Sequence, residues 1–509
     1  MSAIIRATTT DGKQVEFVDQ IIGSGGMKDV YFSPDKSYVI GFIRDSIGWL
    51  TSDRQKYSQT KDRLETITGL YYKRFFEQPG GEYWKNLFCW PTGVVEVAGK
   101  GLGVVAPSYQ KQYFFEWGSK NNDILNIRGR EKEGKWFASP KNRSRFIDTK
   151  ELGDWLGYLR MGILLSRAVA RLHAAGLAHS DLSYKNCLVN PITGSACIID
   201  IDGLVVPQKF PPDVVGTPDF IAPEVVMTSH LPLSDKNRKL PSMLTDRHAL
   251  AVLIYMYLLY RHPLRGDKVH DQDPMIDENL SMGAKALFVE HPSDASNRNK
   301  IANADKWELP WKDTGKIPYT VTGPYLVPLF NRTFIDTLHD PNQRPTAAEW
   351  ETALVKTVDL IQPCQNPNCE QKWYVFDNST RPVCPFCGTS YRGRLPVLNL
   401  YSSRKEGNYR PENHRLMVYT NQSLFQWHVN RNVFPNQNLS DEQKRRVGYF
   451  VLHDGSWWLV NERLPDLMDA DSKNRIAVGE KVELKEGLKL LLSREDGGRL
   501  VVVQMVEGG

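Results

Sequence analysis

The chain has 509 residues, 41% of them apolar and 24% charged, with a formal net charge of +5; that length suggests roughly three domains, and the composition excludes wholesale disorder. So small a charge, with no long Lys/Arg run, argues against a nucleic-acid or lipid surface. The opening MSAIIRATTTDG lacks the apolar core of a secretory signal, and the longest apolar run, His248 to Tyr260, is too short to span a bilayer, so a cytoplasmic location without a membrane partner is expected.

From residue 14 to about 45, short runs such as VEFVDQIIGSGG and SYVIGFIRD alternate with turns, as in a hairpin-built sheet. Residues 52–77 are polar and helix-prone, and GVVEV and GLGVVAPSY complete a small β lobe. LGYLRMGILLSRAVARLHAAG then carries apolar residues three and four apart, a pattern repeated at 244–260 and 327–358, which predicts a mainly helical lobe. The polar stretch 264–320 has little periodicity and reads as a surface insertion. At Cys364 the texture changes to Cys, Pro, Asn and Gly turns, and from about 396 to short strands. The expected domains are 1–358, 360–393 and 395–509, of α+β class.

Asp181 and Asn186 lie five residues apart on a loop that follows a long helix and precedes the strand-like CLVN and ACIID. One carboxylate and one amide oxygen there can serve the same phosphate and metal site. Phosphoryl transfer needs a group that orients and accepts the hydroxyl proton, and hard oxygen ligands for magnesium. Asp181 suits the first role and Asn186 the second. Asp200, fourteen residues further in IIDIDG, is the natural second magnesium ligand; Asp202 is the competing carboxylate, and the spacing from Asn186 favours Asp200.

HSDLSYKN, IIDIDG, GTPDFIAPE and DPNQRPTAAEW occur in this order, and with them residues 15 to 355 resemble the eukaryotic-type protein serine/threonine kinase family. Any one of these residues alone would read as an ordinary turn residue; the order and spacing of several motifs argue otherwise. The resemblance implies a bilobal fold with a β-rich N-lobe and an α-rich C-lobe, ATP and Mg²⁺ (or Mn²⁺) as cofactors, and protein substrates. It makes Asp246 the holder of the catalytic-loop backbone, Glu224 and Arg344 a buried ion pair, and Val105 to Tyr109 the adenine-binding hinge. Gly23, Gly25 and Gly26 resemble the loop over the ATP phosphates, with Lys28 where the third glycine is usual. The strand lysine that pairs the phosphates is missing from SYVIGFIRD. Arg44 is the nearest cation, with Glu65 as its candidate partner, and Lys28 is the other candidate.

The residue before Asp181 is Ser180, where many kinases carry an arginine that receives an activation-loop phosphate. Between Asp200 and Glu224 the single hydroxyl is Thr217, in the position of a threonine that contacts the catalytic Asp. Control by activation-loop phosphorylation is therefore not expected. Ser183 stands where a phosphate-binding lysine is usual; Lys185 either compensates at the γ-phosphate or points to solvent.

Cys364-x4-Cys369 and Cys384-x2-Cys387, fourteen residues apart and flanked by Pro and Gly, form the pattern of a zinc ribbon holding Zn²⁺ in a structural, four-thiolate site, with disulfides the lesser alternative in a cytoplasmic chain. Cys89, Cys187 and Cys197 read as small core residues. RLMVYT, VGYFVLHD, WWLVNE, KVEL and LKLLLS predict an all-β sandwich. VGYFVLHDGSWWLVNERL, together with IAVGEKVELKEGLKLLLS, resembles the second half of a forkhead-associated domain, with His428 as a candidate remnant of its binding site; phosphopeptide binding and a general docking role both stay open. The whole architecture resembles the kinase of bacterial tellurite-resistance-associated phosphorylation triads, which implies a von Willebrand A-type protein and a metal-dependent protein phosphatase as partners. The alternative is a pseudokinase scaffold that binds nucleotide and partner proteins without transferring phosphate.

Overall fold

The computed structural model describes residues 3–24, 28–44, 53–206, 209–212, 216–377, 381–403 and 407–508. Two compact units compose it: Met1–Gly153 with Arg160–Asp313 and Phe330–Glu351, and Asp154–Leu159 with Thr314–Leu329 and Thr352–Gly509.

The first unit opens with a hairpin of β1 (Ile4–Thr8) and β2 (Gln14–Val18). An antiparallel sheet follows, built from β3 (Ile21–Ser24), β4 (Lys28–Phe32), β5 (Tyr38–Ile43), β6 (Gly93–Val97) and β7 (Gly101–Pro107), in the order β3-β4-β5-β7-β6. Side chains alternate between its faces. Phe17, Tyr31, Ile40, Phe42, Val95 and Val105 form the core on one side. On the other, Val94, Leu102 and Val104 pack with Leu64 of helix α1 (Arg54–Thr66), which Asp53 caps by accepting from the amides of Gln55 and Lys56.

Helix α2 (Trp155–Ala174), the hairpin β8 (Cys187–Asn190) and β9 (Ser195–Ile198), helix α3 (Met243–Leu259) and helix α4 (Ala347–Val358) follow. Ser242 starts α3 with a capping box closed by Thr245. From Ala249 to Leu259 every residue of α3 is buried, as expected of a helix apolar on all sides. Cys187 and Cys197 are buried and Cys89 is half-buried. The stretch 264–320 departs from the surface insertion expected: Phe288, Val289 and Ile317 are core residues. Glu290 within it is buried against Arg261, 2.5 Å away, and Tyr255, so a polar sequence is held inside by a satisfied ion pair.

In the second unit β10 (Ile361–Pro363) pairs β11 (Trp373–Val375). The strands beyond are β12 (Arg394–Ser402), β13 (Arg410–Met417), β14 (Ser423–Leu424), β15 (Gly448–His453), β16 (Ser456–Asn461), β17 (Met468–Asp469), β18 (Lys481–Glu483), β19 (Lys489–Leu491) and β20 (Arg499–Glu507). They form two antiparallel sheets, β13-β12-β20-β19-β17 and β14-β15-β16-β18. Cys369, Tyr374, Phe376 and Cys384 share one core with Val397, Phe450, Leu459, Leu490 and Val503, so packing is continuous across the boundary expected near 395. No helix among the described residues is long and apolar enough to cross a membrane.

Candidate active site

The loop His179–Asn186 hangs from α3. Asp246, 1% exposed, accepts the amides of His179 at 2.7 Å and Ser180 at 3.1 Å, and its carboxylate lies 3.2 Å from His173 Nε2. His179 Nε2 is 2.9 Å from the Ile199 carbonyl, which ties the loop to the segment entering Asp200. Ser180 and Asp200 both adopt left-handed backbone, φ 70° and 59°, a conformation non-glycine residues keep where the surroundings enforce it.

Donors on two elements fix the Asp181 carboxylate. Oδ1 accepts from the Thr217 amide at 2.7 Å and hydroxyl at 2.8 Å, and Oδ2 from Asn186 Nδ2 at 2.9 Å. Because Asn186 Nδ2 is also committed to the Asp181 carbonyl, its amide oxygen is the atom left for a cation. Ser183 is buried, 3.3 Å from the Thr217 hydroxyl, whereas Lys185 is exposed and its ammonium has no ion pair among the described residues.

Across the cleft, Lys28 Nζ lies 2.5 Å from Asp202 Oδ2 and 3.0 Å from Asp200 Oδ1. Burial alone would push this ammonium down, but attraction to Asp202 and Asp200 outweighs it and holds the group charged far above neutrality. Burial raises both carboxyls; Lys28 pulls Asp200 below its ordinary value, while Asp202, the more deeply buried, stays above it. The alternation of the strands explains why the cation is here. Val39 and Gly41 of β5 face the cleft, and Gly41, with no side chain, stands across from Val30 in the ladder. A Cβ at Gly41 would sit 3.4 Å from Lys28 Cδ, so the bare strand position adjoins the lysine stem.

Arg44 belongs to the other face, with Ile40 and Phe42. Its guanidinium bonds Asp29 at 2.6 and 2.8 Å, and Glu65 makes no ion pair among the described residues. The expected Arg44–Glu65 pair is therefore absent, because the adjacent strand offers Arg44 a nearer carboxylate. Gly23 lines the cleft, whereas Gly25 and Gly26 lie outside the described residues.

A 340 Å³ cavity joins Lys28, Asp200 and Asp202 to an apolar end made by Val30, Val39, Val104 and Ala106, within the usual size of small-molecule sites. Of the expected hinge, Ala106 to Tyr109 line it, while Val105 turns into the opposite core. Sequence reading missed Gly41 and the pairing of Asp202; the signal available was a glycine inside a strand, which marks a close approach.

Two further contacts brace the site. Arg344, with no side-chain exposure, bonds Glu224 bidentately at 2.8 and 2.7 Å and the Leu338 carbonyl at 3.0 Å. Arg63 of α1 donates to the Pro211 carbonyl at 2.7 Å and lies over the Phe210 ring.

In the second unit the sulfurs of Cys364, Cys369, Cys384 and Cys387 all lie within 4.8 Å of one another, with Cys364–Cys387 at 3.5 Å and Cys369–Cys384 at 3.9 Å. Four thiolates about 2.3 Å from a tetrahedral Zn²⁺ would be about 3.8 Å apart, so the donor set and its dimensions fit that ion. His428 is buried and bonds Asp359 at 3.1 Å.

Residues 158–352 match the family model of the protein kinase domain. Over 138 residues the chain is 30% identical to the probable serine/threonine-protein kinase RTK1 of Saccharomyces cerevisiae, a stretch that covers 26% of this chain and 19% of that protein. Similar solved structures include a Toxoplasma gondii specific rhoptry antigen kinase domain and a rhoptry kinase from the same organism. Each is 12% identical with a TM-score of 0.40, covering 70% of this chain and 86% and 84% of those chains. The residues matched by the protein kinase domain model take in Asp181, Asn186, Asp200, Thr217, Glu224, Asp246 and Arg344.

Proposed function

We propose that the first unit is a protein serine/threonine kinase that transfers the γ-phosphoryl group of ATP to protein hydroxyls. The observation that carries this reading is the cleft itself: a lysine and two carboxylates at one end of a cavity whose other end is apolar. Asp181, held by Thr217 and Asn186, orients the substrate hydroxyl and takes its proton. Asn186 and Asp200 are the ligands for Mg²⁺ or Mn²⁺, which supplies charge neutralisation at the phosphates when bound. Lys28 fills the place of the strand lysine, with Gly23 of β3 lining the same cavity. The base lies between Val39 and the Ala106–Tyr109 segment.

The missing strand lysine favours a pseudokinase, and Lys28 answers it, since a cation from β4 reaches the Asp200 carboxylate. The test uses radiolabelled ATP with Mg²⁺ or Mn²⁺, comparing the native chain with Asp181→Ala. Label that depends on Asp181 supports the enzyme; equal label in both would sink it.

Thr217 is committed to Asp181, and Ser180 offers no cation, so we read the kinase as independent of activation-loop phosphorylation. The four cysteines are read as a structural zinc ribbon and the paired sheets as a forkhead-associated-like sandwich with a docking role. Support for phosphopeptide binding does not come from His428, whose Nε2 is spent on Asp359. The triad reading, with a von Willebrand A-type protein and a metal-dependent phosphatase as partners, rests on the order of domains; co-purification with those two protein classes tests it.

A further inference from the structure

A lysine that meets phosphates needs a fixed counter-charge of its own. In protein kinases a glutamate on the helix packed against the sheet supplies it, so the position of that helix decides whether the site is assembled. Here α1 carries two carboxylates, and neither reaches Lys28. Asp62 is mostly exposed, 3.8 Å from Lys209, and Glu65 has no ion pair among the described residues. The buried charge on α1 is a cation, Arg63, and it bonds the Pro211 carbonyl.

Lys28 instead meets Asp202 at 2.5 Å and Asp200 at 3.0 Å. The two carboxylates are not equivalent: the Asp200 side chain is 52% exposed, open to a metal, and that of Asp202 is 14% exposed. One ammonium between two carboxylates leaves a net negative charge, room for a cation at Asp200 while Asp202 keeps the lysine.

We propose that Asp202 is the positioning carboxylate of Lys28, replacing the helix glutamate, so that the phosphate end assembles from β4 and the base of the activation segment. The helix then acts on the segment through Arg63 and not on the lysine. This rests on the reading of Lys28 as the phosphate-binding cation.

A double-mutant cycle on the full chain, Lys28→Met against Asp202→Asn, tests it by affinity for a fluorescent ATP analogue and by phosphotransfer, both with Mg²⁺. Freed of Asp202, Lys28 turns to Asp200 and competes with the metal, so Asp202→Asn is expected to weaken Mg²⁺-nucleotide binding and transfer about tenfold or more, and to cost nothing further once Lys28 is Met. Asp202→Glu should recover part of the loss, and Glu65→Gln should leave both readouts at the native value. Additive losses, native Mg²⁺-nucleotide affinity in Asp202→Asn, or a Glu65→Gln variant as weak as Asp202→Asn would each overturn the proposal. Coupling of Lys28 to Asp202 without Asp181-dependent transfer would retire the kinase reading and keep the ion-pair assignment.

Discussion

Thr217 grips Asp181 with two donors, its amide at 2.7 Å and its hydroxyl at 2.8 Å, both on the same carboxylate oxygen. The hydroxyl that would accept a regulatory phosphate is thus part of the machinery that aims the proton acceptor. Thr217→Val should lower kcat about tenfold to a hundredfold with little change in the KM for ATP, because misplacing a reacting group by about 1 Å costs that much. Thr217→Glu should do worse, since it sets a second carboxylate against the first. A gain of activity in Thr217→Glu, measured by initial rates on a protein substrate, would show a phosphorylation switch after all.

The neighbourhood of Gly41 and Lys28 predicts that the cation can be moved. Lys28→Gly should abolish nearly all transfer, and adding Gly41→Lys to it should restore a measurable part, because the strand position faces the same cavity. Gly41→Lys alone should be poorly active, with two ammonium groups competing for one space. Phosphotransfer rates of the three variants decide the matter; a double variant no better than Lys28→Gly would mean that Lys28 serves some other purpose.

At these two sites the sequence is legible in part. Asp181, Asn186 and Asp200 sit on a short stretch where spacing alone brings oxygen ligands together, so they stand out as a group. The cation is ambiguous in sequence because a choice between Lys28 and Arg44 depends on which face each strand residue takes. The register of β4 against β5 puts Asp29 within reach of Arg44, and Gly41 carries no side chain to announce its place. The terminal strands β12 and β20, nine paired residues at the centre of their sheet, escape for a related reason. Pro396 makes the first read as an edge or a loop, and the Leu500–Val503 run does not alternate as a half-buried strand should.

Arg344 and Glu224 form a buried pair whose members are 120 residues apart, so its loss should appear in stability before chemistry. Glu224→Ala leaves a fully buried guanidinium without its carboxylate and should cost about 3–5 kcal/mol. The double replacement Glu224→Leu with Arg344→Met should cost less than either single change, since no orphaned charge remains. Denaturant unfolding of the three variants gives the comparison; equal costs for the single changes and the double would show that the pair is held by packing alone.

Cys369 and Cys384 are buried in the core shared with the terminal sheets, and metal loss should therefore reach beyond the ribbon. One zinc per chain is expected by elemental analysis. A strong chelator, or Cys384→Ser, should lower the melting temperature of the second unit and open residues 360–393 to protease, because four unpaired thiols cannot hold turns with so few apolar residues. A chain purified without zinc that melts normally would remove the metal from the account.

Asp359 follows α4 and receives two histidines, His414 Nε2 at 2.6 Å and His428 Nε2 at 3.1 Å. The Phe425 amide donates to His428 Nδ1 at 3.1 Å, so the ring proton is on Nε2 and points at the carboxylate. Burial would raise the Asp359 carboxyl, but His428 and His414 outweigh it and set it well below the ordinary aspartate value of 3.8. A carboxylate depressed in the folded state stabilises above its unfolded value and loses that contribution as pH falls through the folded one. The network should therefore contribute fully from neutrality down to about pH 4 and fade only in stronger acid. Asp359→Asn presents an N–H where one histidine expects an oxygen, and His428 cannot switch tautomer without abandoning Phe425. The variant should lose about 1–3 kcal/mol at pH 7, with the gap to the native chain closing below about pH 4. Urea unfolding of both chains across that range measures it, and a gap that widened in acid would mean that Asp359 is already protonated in the native state.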